Sequence, residues 1–176
     1  MADGIVVWFT GLPSSGKSTL AEHVAVELRR RNVATAELDG DALRGCFVPA
    51  HGYGESDRRD FYETLARLSA LLAGQGLVVL VPATATRAAF RARGRKLWSR
   101  FVEVFVDVPL DVCMQRDTKG LYAAGRSALP GVDVTFERPA HPEVTVRSAD
   151  PEDVDRVVRA IDAMYAGEQQ LNPGSG

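Results

Sequence analysis

The segment Gly11-Leu12-Pro13-Ser14-Ser15-Gly16-Lys17-Ser18 constrains this chain more than any other. It satisfies GxxxxGK[ST] and lies between an apolar run and an amphipathic one. Ile5 to Phe9 (IVVWF) reads as a buried strand ending at Thr10-Gly11. Ser18 to Arg31 (STLAEHVAVELRRR) spaces its apolar residues helically and closes on arginines, which suit a helix C-terminus. Strand, glycine-bearing loop and helix in that order turn backbone N–H groups inward, add the partial positive charge of a helix N-terminus and supply Lys17 as a mobile cation. The result is a cradle for a nucleoside triphosphate tail, built from Gly11, Leu12, Pro13, Ser14, Ser15, Gly16, Lys17, Ser18 and Thr19. The Ser18 hydroxyl is placed to ligate Mg2+, which bridges terminal phosphates. The competing reading of the same string is a glycine-rich turn with a capping serine.

Strands and helices alternate through the rest of the chain. Val33 to Leu38, Leu77 to Val81, Phe101 to Val106 and Val144 to Val146 read as strands. Helical patterns fit Ser56 to Ala73, about Arg87 to Leu97, Pro109 to Arg116, and Asp150 to Tyr165, where Asp150 caps and Pro151 fills the first turn. Such alternation predicts a mostly parallel sheet covered by helices on both faces. At 176 residues one domain over 1–166 is expected, with a frayed polar tail over 167–176. Short connections leave little room for the sensing insertions of motors and switches, which favours a small-molecule kinase.

Charge narrows the partners. The 21 basic and 23 acidic side chains leave a net charge of −2, without the broad basic field that nucleic-acid binding needs. The basic stretch Arg87 to Arg100 fits a helix with its charges outward and Phe90, Leu97 and Trp98 inward, although a nucleic-acid contact is the other reading. No apolar run approaches the roughly 20 residues that span a bilayer, and no basic leader or cleavage signal precedes the first strand, so a soluble cytoplasmic protein with no membrane partner is expected. Cys46 and Cys113 lack metal-site spacing and read as two buried free thiols. His23, His51 and His141 share no metal-ligand spacing, and none is given a catalytic role.

Asp39-Gly40-Asp41-Ala42-Leu43-Arg44 follows the second strand, at the carboxyl edge where open α/β sheets bind ligands. A carboxylate there can orient an acceptor hydroxyl and take its proton late, and a carboxylate can hold Mg2+ through water. This role is open because Leu77 to Val81 ends in Pro82-Ala83-Thr84, with no acidic residue. An Asx turn capping a short helix explains the same residues structurally. Arg44, Arg58 and Lys119 make a local anion site in an otherwise acidic chain, since guanidinium groups suit bidentate phosphate or sulfate contact. Each could alone be a surface ion-pair partner.

Beyond the phosphate loop, LDGDALR (Leu38 to Arg44), YGESDR (Tyr53 to Arg58), VDVPLDVCMQRDTKGLY (Val106 to Tyr122) and GVDVTFERPAHPEV (Gly131 to Val144) carry a resemblance to the adenylylsulfate (APS) kinase family over nearly the whole chain. The resemblance implies a P-loop NTPase fold of the nucleoside-kinase-like type, with about five parallel strands flanked by helices. A short mobile lid over about 116–136 would close over both substrates. The implied reaction is phosphorylation of the ribose 3′-hydroxyl of APS with MgATP, which gives PAPS and belongs to sulfate assimilation. Asp39 would be the acid near Mg2+ and the acceptor hydroxyl, with Asp41 and Arg44 on the APS nucleotide. Arg58 would grip the phosphosulfate, Lys119 would reach the acceptor from the lid, and Arg116 would face ATP. A homodimer is expected from the family.

Departures from the family pattern fall on the acceptor side. The asparagine of DRxxN is Phe61, followed by Glu63 and Thr64 where arginines are usual. After the third strand, an Ile-Ser-Pro-Tyr-Arg-like turn is replaced by Thr84-Ala85-Thr86-Arg87. The lid is shorter between Lys119 and Gly131, and Leu129 stands where a stacking phenylalanine is expected. Phe61 and Tyr62 either supply that stacking or pack in the core at helical spacing. With the donor side intact, phosphoryl transfer with an altered acceptor pocket is expected. A different nucleotide-like or anionic acceptor, and a degenerate ATP-binding regulatory module, remain as further readings.

Overall fold

The first strand, β1 (Ile5–Thr10), is buried at every position. An unbroken apolar run is what a strand needs when both faces of its sheet are covered. The structure is a computed structural model that describes residues 4–48, 52–117, 120–123 and 129–171. After β1 come α1 (Lys17–Arg30), β2 (Thr35–Glu37), α2 (Gly40–Arg44), α3 (Glu55–Ala73) and β3 (Val78–Pro82). The chain continues through α4 (Ala88–Leu97), β4 (Phe101–Val106), α5 (Leu110–Arg116), β5 (Val144–Val146) and α6 (Pro151–Leu171). All strand pairs are parallel, in the order β2-β3-β1-β4-β5, so β1 is central and the loop after it opens at the carboxyl edge.

Alternate β1 side chains build two cores. Ile5, Val7 and Phe9 pack with Leu20, Val24 and Leu28 of α1 and with Val157 and Ile161 of α6. Val6 and Trp8 face the other way, against Phe61 and Leu65 of α3 and Phe101 of β4, with Phe90 and Leu97 of α4 partly buried beside them. This is the doubly covered parallel sheet expected from the alternation.

Several boundaries differ from the sequence reading for local reasons. β2 is shorter than Val33 to Leu38 because the Val33 N–H donates to Leu28 O at 3.0 Å, finishing the end of α1 instead of starting the strand. Helix α6 runs past Tyr165 to Leu171, into the segment read as a tail. A lone glycine costs a helix about 1 kcal/mol, and the next breaker in the sequence is Pro173. Asp150 does cap this helix, accepting from the Asp153 N–H at 2.9 Å. Cys113 is buried, whereas Cys46 is exposed just beyond the short α2, its thiol 3.7 Å from Ala42 O. Among the described residues no helix is long and apolar enough to cross a membrane.

Candidate active site

The cradle forms where β1 gives way to α1. Gly11 has φ +152°, and a Cβ there would lie 2.6 Å from Val106 O, so only glycine lets the loop pass the end of β4. Gly16, at the N-cap of α1, has φ +97° in the left-handed region. The Lys17 ammonium folds back over the loop, donating to Gly11 O at 3.1 Å and Leu12 O at 2.7 Å. The Ser14 and Ser15 hydroxyls are buried without a partner among the described residues. Buried polar groups are costly to leave unpaired, so these donors, the helix N-terminus and Lys17 together fit a polyphosphate.

Asp39 lies at this cradle. Its Oδ2 accepts from the Ser18 hydroxyl at 2.6 Å, and its Oδ1 accepts from the N–H groups of Asp41 at 2.9 Å and Ala42 at 3.1 Å, capping α2. The capping reading of the loop is realised, and the same carboxylate keeps one oxygen at the cradle. Capping fixes its orientation and leaves the second oxygen beside Ser18. An alcohol and a carboxylate oxygen at this separation suit a hard divalent ion such as Mg2+, which is held by few protein ligands and the phosphates it serves. No larger cluster of His, Cys, Asp and Glu suited to a metal occurs among the described residues.

Of the residues expected to bind the acceptor, Arg44 at the end of α2 and Arg58 in the first turns of α3 converge on one stretch of backbone. Arg44 donates to Gly52 O at 3.0 Å and Arg58 to Tyr53 O at 2.8 Å. The Arg44 guanidinium lies 3.9 Å from the Phe61 ring centroid and 4.7 Å from that of Tyr53. Phe61 is 1% exposed and belongs to the core with Tyr62, so it offers no stacking face to a ligand and supports Arg44 instead. Asp41 is exposed on α2. Thr84 is tied to β1 by the Thr10 hydroxyl, which donates to Thr84 O at 2.6 Å. Ala85 is buried with φ +45°, its N–H donating to the Tyr62 hydroxyl at 2.9 Å. Burial pushes the Tyr62 phenol above its ordinary range, so its oxygen keeps its proton at neutral pH.

Described parts of the segment expected to form a lid lean on the cradle. The Tyr122 hydroxyl donates to Pro13 O at 3.1 Å, and burial pushes that phenol up to about 12. Asp117 accepts from the N–H groups of Tyr122 at 3.2 Å and Ala123 at 2.9 Å; the Ala123 bond chiefly holds its carboxyl below the usual range. Leu129 is 8% exposed, its N–H donating to Asp133 Oδ2 at 3.2 Å, so it sits folded into the end of the lid rather than presenting a face. Arg116 is exposed at the end of α5. Lys119 and His51 lie outside the described residues.

The basic stretch of α4 needs a correction. Arg91 points inward, 2% exposed, and pairs with Glu103 of β4 at 2.6 Å. The spacing of Phe90 and Leu97 placed their face inward but gave no sign that an arginine shares it. The inward-facing Glu103 inside FVEVFV was the available signal, because a buried carboxylate demands a cation.

The family model for adenylylsulphate kinase matches residues 3–147. An adenylyl-sulfate kinase of Synechococcus sp. (strain JA-2-3B'a(2-13)) is 38% identical over 165 residues, covering 90% of this chain and 94% of its own. One from Chloroflexus aurantiacus is 36% identical over 168 residues, covering 92% and 90%. The structure of a Mycobacterium tuberculosis APS kinase in complex with AMPPNP and APS superposes with a TM-score of 0.86 at 35% identity, covering 92% of this chain and 99% of that one.

Proposed function

This chain belongs to the adenylylsulphate kinase family, and on that premise we propose that its cradle, Asp39 and the paired arginines carry the transfer of the ATP γ-phosphoryl to the 3′-hydroxyl of adenylylsulfate. The observation that carries this reading is the 2.6 Å contact of Ser18 with Asp39 at the mouth of the cradle, which unites the phosphate-binding helix with the first carboxylate of the motif that follows β2.

Lys17 exchanges its loop carbonyls for phosphate oxygens and, with the loop N–H groups and the Ser14 and Ser15 hydroxyls, holds the triphosphate. Ser18 and Asp39 would hold Mg2+, which when bound would supply neutralising charge on the terminal phosphates. Asp39 orients the acceptor hydroxyl and takes its proton as the bond to phosphorus forms, its orientation set by the α2 cap. Arg44 and Arg58 receive the phosphosulfate and nucleotide of APS beside Asp41, with Thr84 and Ala85 backbone along the same wall and Arg116 on the ATP side; the acceptor contact expected of Lys119 falls outside the described residues. Fixing donor and acceptor in line is most of the catalysis in phosphoryl transfer. A cytoplasmic setting goes with this reading, since both thiols are free. Association as a homodimer also belongs to it, checked by light-scattering mass.

The test is ADP release on mixing the protein with MgATP and APS. Release that depends on APS, and that Lys17→Ala abolishes, is expected. Release only with other anionic nucleotides would reassign the acceptor, and ATP binding without release would leave a regulatory module.

A further inference from the structure

Arg91 does more than neutralise Glu103. Its guanidinium is a three-way tie: Nε donates to Glu103 Oε1 at 2.6 Å, one terminal nitrogen to Ala85 O at 2.6 Å, and the other to Glu137 O at 2.7 Å. Ala85 lies in the turn that walls the acceptor side, held in a left-handed conformation at φ +45°. Glu137 is the residue that follows the lid segment, and it returns the contact twice. Its N–H donates to Thr86 O at 2.8 Å, and its Oε2 accepts from the Ala88 N–H at 2.6 Å, at the start of α4. The Phe136 ring lies 5.9 Å from the same guanidinium. β4, the acceptor turn and the foot of the lid are thus one hydrogen-bonded unit, with its charged centre out of water.

We propose that Arg91 is a positioning residue for the acceptor, setting the Thr84–Ala85 backbone and clipping it to the backbone at Glu137, so that the two segments hold their places together. The role rests on the reading that this turn walls the acceptor site. An alanine at positive φ is strained by its Cβ and keeps that shape only where the surroundings over-determine it. Here the Tyr62 hydroxyl holds its N–H and Arg91 holds its carbonyl. Only a planar fork with several N–H donors can serve a carboxylate and two carbonyls at once; an ammonium can keep the ion pair but not the geometry.

Arg91→Lys is therefore the informative variant, because it retains a cation beside Glu103. In the variant, the amides of 84–88 and 136–138 are expected to exchange hydrogen faster together, by about tenfold, while β1 and α1 keep their protection. The KM for APS is expected to rise on the order of tenfold, with the KM for ATP within about twofold of the parent, because displacement by a fraction of an ångström suffices to disturb in-line placement. Arg93→Lys, on the same helix but paired with Glu63 at 2.7 Å, is expected to leave both constants unchanged. Unchanged exchange at both segments in Arg91→Lys would overturn the clip. Equal movement of both KM values, or an equal effect from Arg93→Lys, would overturn the positioning role. If the parent protein itself released no ADP with APS, the acceptor assignment would fall, and the exchange comparison would still decide whether Arg91 clips the turn to the backbone at Glu137.

Discussion

Asp39 divides its two oxygens between folding and chemistry. Oδ1 caps α2 through the N–H groups of Asp41 and Ala42, and Oδ2 faces Ser18. Asparagine can keep the cap, since its carbonyl oxygen accepts as well as a carboxylate's does at an N-terminus, but it can neither hold Mg2+ strongly nor take a proton. Asp39→Asn is therefore expected to lower kcat on the order of 100-fold or more while moving the melting temperature little, checked by coupled ADP assay and thermal unfolding. Residues of this kind were legible in the string because their signals are local: Lys17 and Ser18 lie at the end of a loop whose shape glycine spacing prescribes, and Asp39 follows the second strand. Phe61 and Arg91 were not. Whether a ring at position 61 meets a ligand or the core depends on which helix lies over it, and it proved to be a buried support for Arg44.

At the scale of elements, the short strand β5 relies on its junction with α6. Asp153 Oδ2 accepts from Arg147 N at 3.1 Å, Ser148 N at 3.0 Å and the Ser148 hydroxyl at 2.8 Å, while Arg156 pairs with Oδ1 at 3.1 Å. Burial alone would raise this carboxyl. The Ser148 hydroxyl, the two N–H groups and Arg156 more than offset it and hold the pKa below the ordinary carboxylate value. A depressed pKa adds stability that is fully present above the unfolded value of about 3.9 and is lost as the pH falls through the folded one. Asp153→Ala is thus expected to cost about 1–3 kcal/mol at pH 7, narrowing as the pH is lowered into the acid range below about 3.9, measured by urea unfolding at both ends. Element type was legible almost throughout, since period-2 and period-3.6 patterns are short-range. Ends were less so: Val33 was claimed by the end of α1 rather than by β2, a competition settled by hydrogen bonds outside the apolar pattern.

For the whole molecule, the cradle is assembled from the ends of β1, β2 and β4 and from the segment after α5, through Gly11, Asp39, Val106 and Tyr122. Nucleotide that binds only this assembled state must stabilise all of it. At about 100 times its Kd, MgATP is expected to add about 2.7 kcal/mol and raise the melting temperature by roughly 5–10 °C, a shift that Lys17→Ala should remove, read by scanning fluorimetry. What the sequence by itself determined was the alternation of strands and helices, the phosphate loop and the acid that follows β2, because each follows from spacing along the chain. What only the tertiary structure decided was which side chains face inward across the second core: Phe61 beneath Arg44, Tyr62 on Ala85, and Arg91 joining Glu103 to the turn and the lid foot. Those contacts join residues far apart in sequence, so only the stacking of α3 and α4 on the sheet could bring their partners within reach.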